Sequence, residues 1–574
     1  MRLRARAKTI LSLVATTSLA ATGATLAGTG VAHAGSPSSA KGGASGQTAT
    51  PIKHLVVIFQ ENVSFDHYFG TYPHAANPPG SPPFHARPGT PSVNGLSGSL
   101  LTRNPNRANP QRLDRAQALT CDQNHGYTAE QQAFDHGLMD HFVQDTGHGL
   151  TLSQCLKAAG NPAPVHGSKP NKAVMDYYDG NTVTALWHYA QHFAMSDNAY
   201  GTTFGPSTPG ALNVTAGNTY GADCGPAGAV SGPVPACPAT PATTTGDPTH
   251  KPTAAGPGTV YSDRNPYYDM CSAGHGPTIK MGGKNVGDLL NAKGVTWGWF
   301  QGGFAGGYVP GRGQRFTPAA ACTQSHTNIG GHKVVDYIPH HEPFQYFAST
   351  ANPRHLPPTS VAAIGHTDQA NHQYGMGDFW AVADAGNLPA VSYLKAPGYQ
   401  DGHAGYSDPL DEQHFLVKTI NRLERLPSWR STAVVITYDD SDGWYDHQLG
   451  PVVTQSQTSH DALSGPGACG TNPAQVPRTD TGAPEEARCG LGPRLPFLVI
   501  SPYARANAVS GHLIDQTSVV SFIENNWHLG RIGNGSADRT AGSLSSMLDV
   551  GHPANSRLFL DPRTGEVTHG RRGH

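Results

Sequence analysis

Two polar runs in this chain follow directly on apolar ones, and both are rich in oxygen donors. The apolar run 54–59 leads into Gln60-Glu61-Asn62-Val63-Ser64-Phe65-Asp66, and the run 433–438 leads into Asp439-Asp440-Ser441-Asp442-Gly443. Glu61, Asn62, Asp439 and Asp440 together would make a hard, anionic oxygen cage suited to a divalent cation. Either run by itself reads equally well as solvated loop. A third candidate is Ser207, framed by Gly205-Pro206 and by Thr208-Pro209-Gly210. A serine pre-positioned beside a cation could lose its proton and act as a nucleophile. Taken alone, the plainer reading of Ser207 is an ordinary turn serine.

A sheet is what could bring these residues together. The runs 54–59, 295–300, 389–394, 433–438 and 495–501 are continuously rather than alternately apolar, the pattern of strands buried on both faces in a parallel sheet. Asp408-Pro409 reads as an N-cap followed by proline at the first helical position, with Leu416, Ile420 and Leu423 spaced for one face. That helix would join the 389–394 strand to the 433–438 strand as a β-α-β crossover, and further helices are expected over 182–194, 286–292 and 518–528. The expected class is α/β, with a mostly parallel central sheet flanked by helices. Ligands of such sheets bind beyond the carboxyl ends of the strands, so Glu61, Asp439 and His403 should share one rim. At that rim His403 is a candidate proton donor to a leaving group.

Several ordered motifs then converge. Glu61-Asn62-x-Ser64-Phe65-Asp66-His67-Tyr68-Phe69-Gly70, Asp122-x-x-His125-Gly126, Gly205-Pro206-Ser207-x-Pro209, Pro339-His340-His341-x-Pro343-Phe344 and Tyr438-Asp439-Asp440-x-x-Gly443-x-x-Asp446-His447 resemble the phospholipase C/acid phosphatase family of phosphoesterases, in the alkaline phosphatase superfamily. The resemblance runs from about residue 53 to about residue 530. It implies an alkaline phosphatase-like fold with long loop insertions. It also implies Glu61, Asn62, Asp439 and Asp440 as metal ligands, Ser207 as a nucleophile that also faces the metal, and His125, His340, His341 and His403 as histidines lining the phosphate pocket. An all-oxygen ligand set favours calcium, magnesium or manganese over zinc. His340 and His341, as neighbours in an extended segment, should point to opposite sides unless a turn brings both inward. Asp446 and His447 are expected behind the ligands, while Glu342, His366, Asp368 and His372 could line the entrance.

Two features depart from the family pattern. Asp439-Asp440 stands where the family often carries Asp-Glu. The stretch from Ser207 to Leu212 looks more like the acid phosphatase branch than the phospholipase branch, which commonly has Thr followed by Asn-Pro-Asn-Arg. The leading expectation is therefore a secreted, metal-dependent phosphoric-ester hydrolase that forms a phosphoserine and leans towards phosphomonoesters. A phospholipase C acting on phosphatidylcholine-like lipids is the alternative. A non-catalytic surface or lipid-binding protein is the alternative of another class.

Composition sets the remaining bounds. The 38 Lys plus Arg residues nearly balance the 40 Asp plus Glu, which disfavours a nucleic-acid partner because no broad positive field results. Arg2, Arg4, Arg6 and Lys8, an apolar run over 10–26 and Ala32-His33-Ala34 read as a secretory signal over 1–34 cleaved after Ala34. No later run approaches the length of a membrane span, so export without stable membrane insertion is expected. Residues 35–50 read as a linker, and 51–574 as one catalytic domain with surface insertions near 78–110, 224–257 and 463–490. The eight cysteines suggest disulfides, paired in sequence order as Cys121–Cys155, Cys224–Cys237, Cys271–Cys322 and Cys469–Cys489. Oligomeric state is left open.

Overall fold

Each of the five apolar runs forms a strand of a single sheet. The computed structural model describes residues 48–147, 170–224, 258–273, 278–554 and 556–568, so the expected leader, most of the linker and most of the 224–257 insertion lie outside the described residues. The strands of the large sheet are β1 (His54–Gln60), β2 (Ala194–Ser196), β3 (Trp297–Gln301), β4 (Gln373–Gly375), β5 (Val391–Lys395), β6 (Thr432–Tyr438), β7 (Phe497–Ile500) and β8 (Ala508–Ser510). Their order across the sheet is β4-β3-β5-β1-β6-β7-β2-β8. The helices that matter below are α1 (Tyr127–Phe134), α2 (Thr184–His192), α3 (Ser207–Ala216), α4 (Val286–Lys293), α5 (Met376–Asp384), α6 (Pro409–Leu423) and α7 (Thr517–Asn526). The class is α/β.

The central strands are apolar because both their faces are covered: every residue of β5 and β6, and all of β1 after His54, is buried. β1 lies between β5 and β6 and is parallel to both, so the crossover through α6 passes over it. Asp408 caps α6, accepting from Leu410 N at 2.8 Å and Asp411 N at 3.1 Å, with Pro409 in the first turn. Phe415, Leu416, Ile420 and Leu423 of this helix join the core.

One strand departs from expectation. β7 is antiparallel to both β6 and β2, whereas the other pairings of the sheet are parallel. Burial on both faces produces the same apolar run whichever way a strand points. Direction follows from the connection: parallel strands need a crossover, usually helical, and the long segment from β6 to β7 carries only a short 3-10 turn at Pro473–Gln475. The chain therefore stays at the carboxyl rim and re-enters the sheet from there.

Two of the expected disulfides are present, Cys271–Cys322 and Cys469–Cys489; the other two pairings involve residues outside the described ones. The 463–490 segment is anchored rather than draped. Leu463, Cys469, Ala487 and Cys489 pack with Tyr127, Phe134, Phe204 and Tyr445 in a second apolar cluster. Within 78–110, Phe84 stacks edge-on against Trp187 of α2 at 5.1 Å between ring centres. Chain packing also begins just ahead of Pro51, where Thr50 N and Oγ1 donate to Asn526 Oδ1 at 3.0 and 2.7 Å.

Candidate active site at the carboxyl rim

The register of β1 against β6 pairs Gln60 with Tyr438, so the next residues, Glu61 and Asp439, leave the sheet side by side. The ladder continues one step beyond the strands, Asp439 N donating to Gln60 O at 3.1 Å and Val63 N to Asp440 O at 3.0 Å. Asn62 takes φ 61°, a left-handed conformation that asparagine tolerates. Its backbone N–H donates to Asp439 Oδ1 at 2.9 Å. All four expected ligands of the cage are buried together.

Ser207 is not a turn serine but the first residue of α3. The breaker-rich sequence hid this helix, because Pro209 falls in its first turn, where the missing N–H costs nothing. Thr208 fixes the start, its N and Oγ1 donating to Asp263 Oδ1 at 2.9 and 3.0 Å. Gly210 allows the approach to β6: a Cβ there would overlap the backbone carbonyl of Asp439. Ser207 Oγ consequently stands 3.2 Å from Glu61 Oε2 and 3.2 Å from Asp440 Oδ2.

The four histidines gather around this point. His340 and His341 lie in a 3-10 turn, Pro339–His341, rather than in an extended segment, and their rings sit perpendicular with centres 4.5 Å apart. His340 feels the charges of Asp263 and Asp439, so the turn does not carry it to the far side of the segment. His341 Nδ1 is 3.2 Å from Glu61 Oε1. His125 Nδ1 is 3.2 Å from Asp442 Oδ1, and its ring centre lies 6.1 Å from that of His403. His403 stacks on Tyr406 and turns its Nδ1 to the Ala404 carbonyl.

Electrostatics at the site are set by burial. Desolvation and the neighbouring Asp439 hold the Glu61 and Asp440 carboxyls well above the ordinary range. Burial draws His341 well below its usual value, with His340 and Lys395 pushing the same way, so its ring is neutral. Burial also opposes charge on His125, but Asp440, Asp442 and Asp122 outweigh it and lift its proton affinity well above normal. Lys395, the last residue of β5, is fully buried with its ammonium on Glu61 Oε1 and 4.9 Å from the Phe59 ring centre. The three carboxylates of Glu61, Asp439 and Asp440 outnumber the cationic groups that face them, the Lys395 ammonium on Glu61 and the His125 imidazole near Asp440, a surplus that suits a divalent cation. Asn62 Oδ1 and Asp439 Oδ2 are buried with no hydrogen-bond partner among the described residues, as unfilled ligand atoms would be. The donor set fits a hard cation.

Other polar candidates serve the frame. Arg494, just ahead of β7, binds Asp66 at 3.0 Å and Asp446 at 3.1 Å, so the loops after β1 and β6 are joined behind the ligands. His447 Nδ1 pairs with Asp66 Oδ2 at 2.6 Å. His372 stacks on Trp297, the first residue of β3, with ring centres 4.4 Å apart. It precedes β4 and so belongs to the opposite rim; His366 and Asp368 lie in the same segment, and none of the three lines an entrance to the cage. Glu342 is buried, its Oε2 accepting from Gln345 N at 2.6 Å as the cap of a 3-10 turn. Lys395 and Asp442 were not singled out from the sequence. Lys395 carried a signal, since it ends the apolar run 389–394 as the other site residues end theirs.

The class defined here is an α/β protein that gathers buried carboxylates, histidines and a helix-initiating serine at the carboxyl rim of its sheet. The model of the Phosphoesterase family matches residues 52–530, and the chain belongs to that family. It is 22% identical over 523 residues to phospholipase C A of Mycobacterium tuberculosis, covering 88% of this chain and 79% of that protein. Similarity to the non-hemolytic phospholipases C of Pseudomonas aeruginosa (29% over 186 residues) and Burkholderia pseudomallei (32% over 199 residues) is more local, 32% and 33% of this chain. Those matches span 26% and 27% of the two relatives, about a quarter of their length.

Proposed function

We propose that this chain hydrolyses phosphoric esters through Ser207, and that its substrates are phospholipid-type diesters cleaved as by a phospholipase C. The observation that carries the reading is the double contact of Ser207 Oγ with Glu61 and Asp440, inside a cage of otherwise unsatisfied oxygen donors. The relatives compared are phospholipases C, which moves the reading away from the phosphomonoester preference suggested by the residues after Ser207. An alkaline phosphatase-like arrangement is part of the proposal, supported by the mostly parallel sheet with its donors at the carboxyl rim.

Glu61, Asn62, Asp439, Asp440 and Ser207 would hold a hard divalent cation such as calcium, magnesium or manganese, whose charge favours the Ser207 alkoxide and offsets phosphoryl charge. Ser207 Oγ attacks phosphorus, the bond to the leaving alkoxide breaks, and water then cleaves the phosphoserine. The N-terminus of α3 adds positive potential at the attacked group. Imidazoles around it bind phosphoryl oxygens, and one returns a proton to the alkoxide. Export after cleavage near Ala34 is the accompanying proposal, supported by the two described disulfides.

The test compares wild type with Ser207→Ala on phosphatidylcholine and on a chromogenic phosphomonoester. Phosphocholine release by the wild type, absent in a folded alanine variant, is expected. Wild-type turnover in Ser207→Ala would overturn the nucleophile assignment, phosphate release from the monoester alone would restore the phosphatase reading, and lipid binding without turnover would favour the non-catalytic one.

A further inference from the structure

We propose that Asp269 is a positioning residue for the turn that carries His340 and His341, and that the Cys271–Cys322 disulfide sets its grip, so that thiol oxidation tunes the site. Asp269 is buried, and both oxygens of its carboxylate are fully engaged. Oδ1 accepts from Cys271 N at 2.7 Å and His355 Nε2 at 3.0 Å, and Oδ2 accepts from the Tyr337 hydroxyl and from Gln345 Nε2 at 3.2 Å. Tyr337 and Gln345 stand on either side of the turn Pro339–His341. A single carboxylate therefore clamps both ends of the segment whose His341 Nδ1 lies 3.2 Å from Glu61 Oε1.

The clamp is built for a charged carboxylate. His355 is buried with Nδ1 on the Phe304 carbonyl at 3.0 Å and Nε2 on Asp269, so oxygen acceptors face both ring nitrogens and both carry hydrogen. Its ring stacks on Phe304 with centres 3.8 Å apart and meets Tyr337 edge-on at 4.9 Å. Gln345 is held from its far side as well, its side chain accepting from Asn352 N at 2.6 Å and donating to Asn352 O at 3.1 Å. Hydrogen bonds to a charged acceptor are among the strongest a side chain makes, so moving Asp269 moves the turn.

The disulfide reaches Tyr337 from both of its sulfurs. Asp269 caps the 3-10 turn Met270–Ser272 through Cys271 N, so the place of Cys271 fixes that of the carboxylate. Cys322 lies in the short helix Pro318–Thr323. Just beyond that helix, Gln324 O accepts from Asp336 N at 2.9 Å and Gln324 Nε2 donates to Asp336 Oδ2 at 2.7 Å, and Asp336 directly precedes Tyr337. Cys271, Phe304 and Tyr337 form one small apolar cluster with Cys322 packed against it. The loop 302–317 ahead of the helix carries neither helix nor strand, so the disulfide is the covalent tie at its far end. Cys322 is only half-buried, within reach of a thiol reagent. Exchange with an external disulfide closes the bond: one S–S bond forms here as one breaks in the reagent, which leaves as a dithiol carrying the two electrons and two protons. A chain still reduced before export would hold the His340–His341 turn loosely, and oxidation would tighten it.

The test compares the oxidised full chain with the same protein reduced by a dithiol, reduction of Cys271 and Cys322 being confirmed by alkylation and mass spectrometry. Ester turnover and hydrogen exchange of peptides spanning 337–346 are both read, and only the turnover arm rests on the phosphoester reading. Reduction should lower kcat by about tenfold, within the loss that misplaced catalytic groups produce. It should also speed exchange over 337–346 while peptides of β1 and β6 stay protected. The double variant Cys271→Ser, Cys322→Ser should match the reduced protein and respond no further to dithiol; a further loss of the same size would assign the effect to Cys469–Cys489 and overturn the proposal. Tyr337→Phe, which keeps the ring and deletes one hydroxyl, should start slower and lose less on reduction than wild type does. Equal losses in the two would break the link through Asp269. Unchanged exchange at 337–346 in fully reduced wild type would overturn the proposal outright. A chain inert on every ester that still shows the exchange change would fail the phosphoester reading and leave the clamp standing.

Discussion

Lys395 ends β5 with its ammonium on Glu61 Oε1, a fixed positive charge inside a cluster of buried carboxylates. Removing it leaves Glu61 beside Asp439 and Asp440 without the ammonium that contacts it. Breaking a buried pair in this way costs about 3–5 kcal/mol. Lys395→Met should therefore unfold at much lower denaturant in chelator, and recover most of that loss in saturating manganese. An equal loss with and without metal would mean that Lys395 acts by packing alone.

Gly210 faces the Asp439 carbonyl with no room for a Cβ. Alanine favours helices by about 1 kcal/mol over glycine, so Gly210→Ala would stabilise α3 if the helix stood alone. Overpacking against β6 costs about 1–3 kcal/mol and pushes Ser207 away from Glu61 and Asp440. The expected variant is folded and less stable, with kcat reduced at least tenfold and KM little changed. An unaltered kcat would show that α3 can shift without moving Ser207.

The histidines should divide by leaving group. A proton donor contributes about 10²–10⁴-fold, and does so mainly for poorly acidic alcohols. His403→Ala should therefore slow alkyl esters far more than nitrophenyl esters if His403 is that donor. Equal losses on both would leave His403 a phosphate-positioning role.

Glu412 of α6 is buried between two tyrosines, accepting from Tyr438 Oη at 2.6 Å and Tyr68 Oη at 3.0 Å. Burial pushes its carboxyl up to about 7 from 4.5, despite the hydrogen bonds from Tyr438, Tyr68 and Gln60. The folded state thus holds this proton more tightly than the unfolded chain does. Its contribution to stability is complete below pH 4.5 and is lost as pH rises through 7, a swing of about 3 kcal/mol. Denaturant melts from pH 4.5 to 8 should show Glu412→Gln losing less stability than wild type by about that amount. Parallel curves would refute the assignment.

What could be read from the sequence follows from locality. Glu61, Asn62, Asp439 and Asp440 were legible because each pair directly follows an apolar run, and strand register then carries both to one level. Ser207 was legible as a residue but not as the start of a helix, since the Gly205 to Gly210 stretch reads as breakers until packing against Asp439 is known. The 3-10 winding at His340 and His341 and the direction of β7 depend on long connections that have no periodicity to read. Asp442 was visible within an acidic run, but only its contact with His125, which packing supplies, distinguishes it from the residues around it.

The reversal of β7 has a consequence for how such a site can change. Because this strand enters the sheet from the carboxyl rim, Arg494 sits at that rim instead of on the far side, and it grips Asp66 and Asp446 at once. The segments carrying Glu61 and Asp440 are thereby latched to a common bolt. Neither can be transplanted from a homologue on its own without stranding a buried guanidinium or a buried aspartate. Arg494, Asp66 and Asp446 should accordingly be inherited as a unit, drifting together or not at all, and the 78–110 insertion is tied to the same latch through Asn94, whose carbonyl accepts from Arg494 Nη1 at 2.7 Å.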